Sequence, residues 1–171
     1  MLGKSELNTQ LNLMEVPLLH FIDPSHELCR LAKKINWQEV EKDFAMYYSK
    51  VGAPSVPLRI MVGLTILKQV YGESERTAIG RWLENPYWQH FCGEVYFQNK
   101  PPFYFSDFGH FRKRIGTEGM DKLLSLAVNV FDKQAEKAFR SSSRRSGKKE
   151  QGFLNKMVHR LGNYLTRISS Q

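Results

Sequence analysis

Between Pro57 and Gly72 the chain reads LRIMVGLTILKQVY. Wound as a helix, Ile60, Met61, Leu64, Ile66, Leu67 and Val70 cover most of its circumference, so it has no polar face to turn to water. Such a helix needs neighbours on several sides, and the rest of the chain has to supply them. Proline can open it because the first-turn N–H it lacks has no partner there anyway, and glycine can close it. A chain of 171 residues is long enough to build one core around it. The longest candidate stretch, 60–67, is bounded by Arg59 and Lys68 and falls well short of the ~20 residues a membrane span needs. The first residues, MLGKSELNTQLN, carry no hydrophobic signal region after their lysine.

Helix signals flank this segment on both sides. Asp23-Pro24 reads as a capping carboxylate followed by proline at the first helical position, opening a helix to about Ile35. Asn36-Trp37-Gln38-Glu39 resembles a capping box, and Trp37, Val40, Phe44 and Tyr47 follow at helical spacing. Ser74 can cap a helix to about Glu84 with Ala78, Ile79, Trp82 and Leu83 inward. Asn85-Pro86 starts a short aromatic helix ending near Gly93. Residues 94–105, with Pro101-Pro102, read as loop with a brief strand at 95–97. Ser106-Asp107 caps a helix over 108–115, Gly116 ends it, and Thr117 opens another with Met120, Leu123, Leu124, Ala127 and Phe131 on one face. Helix, tight turn, helix is the pattern of DNA-binding helix-turn-helix units, though non-binding proteins share it. The expected fold class is all-α: a compact multi-helix bundle with a helix-turn-helix-like unit and a flexible basic C-terminal tail. Residues 1–22 read as a loosely ordered lead-in anchored by Leu11, Leu13, Val16, Leu18 and Leu19, residues 23–139 as the helical domain, and 140–171 as a basic linker and amphipathic helix.

The formal net charge is +8, but residues 140–171 hold eight Lys and Arg against the single acid Glu150, so the remainder is almost balanced. The high pI alone therefore says nothing about the folded part, which needs a basic surface of its own. At about 100° per residue along 108–115, Phe108, Phe111 and Ile115 share one side. Lys113 lies nearly opposite them, His110 lies well out of the core, and Arg112 and Arg114 flank the apolar stripe, where they can lay their stems on the protein and push the guanidinium outward. Such a helix suits phosphate contacts, with base-edge contacts open to arginine. Arg76 and Arg81 on the preceding helix are the next candidates. The competing reading is a solvated basic face, with Arg112 or Arg114 paired to Asp107, Glu118 or Asp121.

Two cysteines, Cys29 and Cys92, make no disulfide framework and read as small buried apolar side chains. A zinc site from His26-x-x-Cys29 and His90-x-Cys92 fails on geometry, because helical positions i and i+2 do not share a face. No metal ligand set is expected, and no Gly-rich phosphate loop or nucleophile elbow occurs.

The segments Arg81-Trp82-Leu83-Glu84-Asn85-Pro86-Tyr87-Trp88-Gln89, Phe91-Cys92-Gly93-Glu94 and Phe111-Arg112-Lys113-Arg114-Ile115-Gly116-Thr117-Glu118-Gly119, together with 60–69, resemble the N-terminal region of bacterial insertion-sequence transposases of the insertion sequence five group. The resemblance spans about residues 15–130, with Gly109-His110 a departure from the family's wording. It implies an all-helical DNA-binding domain whose partner is the terminal inverted repeat of a transposon, and whose further partners are a second copy or full-length transposase. It implies a bacterial, cytoplasmic, nucleoid-associated protein with no membrane partner. In that family three acidic residues of an RNase H-like domain hold two divalent metals for strand cleavage and transfer. No carboxylate here carries over to that set: the one acid after Glu136 is Glu150, and the alternating strand pattern is absent. The expectation is a binding portion without catalytic residues or cofactors, from a truncated or internally deleted copy. A regulatory protein that titrates full-length transposase is the alternative, and a tail-driven RNA- or membrane-surface binder a third reading.

Overall fold

The central helix is walled in as its sequence requires. In the computed structural model, which describes residues 16–49 and 55–142 (129–142 as backbone alone), a 3-10 turn over Leu18–His20 leads into α1 (Glu27–Lys34), α2 (Trp37–Ala45), α3 (Leu58–Tyr71), α4 (Glu75–Glu84), α5 (Pro86–Phe91) and α6 (Phe105–Ser142). α3 touches α2, α4, α5 and α6, while α1 packs on α5 and α6. Ten of the fourteen residues of α3 are buried, which leaves only Arg59, Lys68, Gln69 and Tyr71 partly open to solvent. Pro57 stands at its N-cap, and Gly72, in the left-handed region at φ 69°, ends it. The architecture is all-α, as expected. The strand expected at 95–97 reduces to a single antiparallel bridge between Pro17 and Tyr96 among the described residues, beside which the Leu18 N–H donates to the Val95 carbonyl at 2.8 Å.

Three local caps hold as read. The Asn36 side chain accepts from the Glu39 N–H, Ser74 Oγ from Thr77, and Asn85 Oδ1 from Tyr87 and Trp88. Cys29 and Cys92 are buried free thiols. Of the lead-in anchors, Leu18 is fully buried in a small cluster with Ile22 and Cys29, but Val16 and Leu19 stand 60% and 49% exposed and anchor nothing. Leu11 and Leu13 lie outside the described residues. The linker expected from residue 140 starts later than that, because α6 continues through Ser142; the rest of the linker and the amphipathic helix after it lie outside the described residues.

The start of α1 differs from expectation. The Asp23 carboxylate accepts from the Ser25 N–H at 2.8 Å and from its hydroxyl at 2.7 Å, closing a turn of the kind aspartate favours. With that carboxylate spent, the helix starts at Glu27 under a different cap: His26 Nδ1 accepts from the Leu28 N–H at 3.2 Å, its ring stacked on Tyr87 at 3.8 Å. The cap needs a neutral imidazole. Burial holds the His26 pKa below its ordinary value, with Arg30 helping and Asp23 opposing. The folded pKa is thus depressed, so this contribution is fully present above the ordinary histidine value of about 6.5 and is lost as pH falls below it. Thermal melts from pH 8 to 5 are expected to show a step that disappears in His26→Asn, which caps without titrating. An equal step in both proteins would contradict this role.

Candidate nucleic-acid interface

The segment that presents the cationic side chains is positioned by a chain of contacts starting in α5. Pro86 follows Trp82 by four residues and has no N–H, so the Trp82 carbonyl lacks its helical donor. The fully buried side chain of Gln89 fills that role, its Nε2 donating to the Trp82 carbonyl at 3.1 Å. The same amide donates to the Gln98 carbonyl at 2.8 Å and accepts the Gln98 N–H at 2.7 Å, fixing the loop that leads to α6. Arg59 secures the other end of α5. Its guanidinium lies 4.6 Å over the Trp37 ring and donates to the carbonyls of Phe91 and His90, where a helix end offers unpaired acceptors.

The loop then buries Phe103, edge-on to Trp82 at 5.7 Å and to Phe108 at 6.3 Å. α6 begins at Phe105, three residues before the expected start. Asp107 does cap it, but from inside the first turn: its carboxylate reaches back to the Tyr104 N–H at 2.7 Å, the half of a capping box that an acid supplies. Phe108, Phe111 and Ile115 are each 2% exposed, so the inward face is as read. At Gly116 the backbone leaves the helix (φ 62°, ψ −167°). A Cβ there would meet nothing within 4 Å, so backbone conformation and not space calls for glycine. This break is a single residue. Helix resumes directly after Gly116, so the two runs meet across a turn shorter than the three to four residues usual in a helix-turn-helix.

Each cation of the arm 105–115 has a distinct setting. His110 and Lys113 are exposed, and Lys113 makes no ion pair among the described residues. Arg112, with its side chain half exposed, pairs with Glu75, which also takes Lys68 Nζ at 3.3 Å. Glu75 thus ties α3, α4 and α6 together, and it is not among the expected partners. Of those, Asp107 serves the cap and Glu118 pairs with Lys122 at 2.9 Å. Arg114 lies 4.6 Å over the Tyr48 ring. On α4, Arg76 lies 5.7 Å over Phe105 and so joins the arm. Arg81 does not: it pairs with Glu73 at 2.8 Å and covers Tyr71 and Trp88, contacts in α3, the following turn and α5. Desolvation pushes the Tyr71 hydroxyl up to about 12, so Arg81 faces a neutral ring.

Residues 16–114 match the transposase domain family (DUF772). The chain belongs to that family. The match runs from the 3-10 turn to Arg114 in the arm of α6, and so takes in the Gln89, Arg59 and Glu75 contacts just described. This transposase domain is also 43% identical over 109 residues to an uncharacterized protein of Rhizobium meliloti, ORF8 in the nfe locus, across 64% of this chain and 53% of that protein. The chain thus spans about half the length of the curated relative it matches. No solved structure matches it. No helix among the described residues is long and apolar enough to cross a membrane.

Proposed function

We propose that this transposase domain, of the insertion sequence five group, binds the terminal inverted repeats of a transposon through the solvent face of residues 105–115. Lys113 and His110 face the duplex, Arg112 and Arg114 brace phosphates on either side, and Arg76 adds a contact from α4. Arg81 is a candidate only where the duplex extends past α4. The observation that carries this reading is sidedness. Phe108, Phe111 and Ile115 bury one face of the arm, so its cations are held outward on a rigid support. The ion pair to Glu75 does not remove Arg112 from use, because a guanidinium has five N–H donors. Such a protein works on chromosomal DNA in the bacterial cytoplasm.

Strand cleavage in the wider family is work for carboxylate-held divalent metals. Among the described residues no three His, Cys, Asp or Glu side chains converge to hold an ion. We assign this portion binding alone, with affinity indifferent to chelator. The test is fluorescence anisotropy of the full chain on end-repeat duplex, over a range of salt. Lys113→Ala is expected to weaken binding with an unchanged melt and to lower the salt slope by about one unit. Unchanged affinity and slope would overturn the reading.

A further inference from the structure

On the flank of the arm away from Arg112, a cleft of about 440 Å³ opens between the end of α2, the start of α3 and the loop before α6. Its buried members Met61 and Phe111 give it an apolar floor, Tyr48 is half-buried, and the Tyr104 ring beside it is 80% exposed. Tyr104 is not loose at its backbone, which Asp107 holds by the capping hydrogen bond. At the rim stand the Asp107 carboxylate and the Arg114 guanidinium, the latter laid over Tyr48. Asp107, His110 and Arg114 line the cleft at helical spacing, so it shares the arm of α6 with the proposed duplex-binding face.

These groups match the parts of a nucleotide. An exposed ring offers a base a stacking platform. A carboxylate accepts the amino hydrogens of a base edge. A guanidinium takes a phosphate. The volume lies in the range of roughly 300–1,000 Å³ typical of small-ligand sites. A base paired within a duplex cannot enter a cleft, so the ligand must be out of the stack.

We infer that this cleft takes one unstacked DNA nucleotide, its base on Tyr104 with its edge to Asp107 and its phosphate on Arg114, while the outer face of the arm holds the adjoining duplex. The inference rests on the DNA-binding reading and adds a second site to it.

The test uses the full chain and two duplexes of one sequence, one fully paired and one with a single extrahelical 2-aminopurine. The extrahelical form is expected to bind about ten-fold more tightly, the order of one base–aromatic stack, with its fluorescence quenched on binding. Tyr104→Ala should remove that preference and the quench while leaving affinity for the paired duplex intact, and Tyr104→Phe should restore both. Equal binding of the two duplexes, or a Tyr104→Ala loss that falls equally on both, overturns the inference and leaves the DNA-binding reading standing. If neither duplex binds, both readings fall.

Discussion

Replacing Gln89 by leucine is expected to destabilise the domain by on the order of 3–5 kcal/mol. The side chain is fully buried and makes three hydrogen bonds, to the Trp82 carbonyl and to both backbone groups of Gln98. Leucine of similar size fills the space but strands all three backbone groups, each at about 1–3 kcal/mol when buried. Water entering a loosened loop would recover part of this, which keeps the estimate below the full sum. The melting temperature should fall by roughly ten degrees or more. Because Gln98 belongs to the loop that carries Phe103 and Tyr104 to α6, hydrogen exchange should rise there first. A melt within a degree or two of the parent would show that the loop is held by other means.

Phe111→Ala is expected to cost a comparable amount, about 3–5 kcal/mol for a buried phenylalanine. Phe111 is 2% exposed on the inward face of the arm, one turn from Phe108 and Ile115. Its loss should free the arm from α3 and weaken DNA binding indirectly, through a lower melting point and lost arm protection. Lys113→Ala makes the opposite prediction of weaker binding on an intact fold. The two variants separate a support residue from a contact residue, and denaturant unfolding measures the first directly. A Phe111→Ala midpoint equal to the parent's would mean that the arm contributes nothing to the core.

Features governed by neighbours in sequence were the legible ones. Asn36, Ser74 and Asn85 cap the helices they precede, and the all-round apolar pattern of α3 announced its burial. The boundaries that moved are those where one side chain had two local options. Asp23 closes a turn with Ser25 in place of capping a helix. Asp107 caps by reaching back to Tyr104, which moves the start of α6 to Phe105. Gly116 was readable as a break, but its extent depends on how the two runs pack, which spacing does not encode.

The site was half legible for the same reason. Helical angles alone gave the inward phenylalanines and the outward Lys113. The partners of the arginines did not follow, since Glu75 lies 37 residues from Arg112 and Tyr48 lies on another helix end. Gln89 left one usable sign: Pro86 four residues after Trp82 leaves a carbonyl without its helical donor, so a nearby side chain had to supply one.

The central claim is that the outer face of the α6 arm binds DNA. Its most direct test is the affinity for end-repeat duplex of a chain ending at residue 142, free of the basic tail, with and without Lys113→Ala and Arg114→Ala together. The account predicts a loss of about ten-fold or more in low salt with a melting temperature close to the parent's, since both side chains are exposed and each phosphate contact adds to the electrostatic term. An unchanged affinity in the double variant would contradict it and place the binding surface elsewhere on the domain.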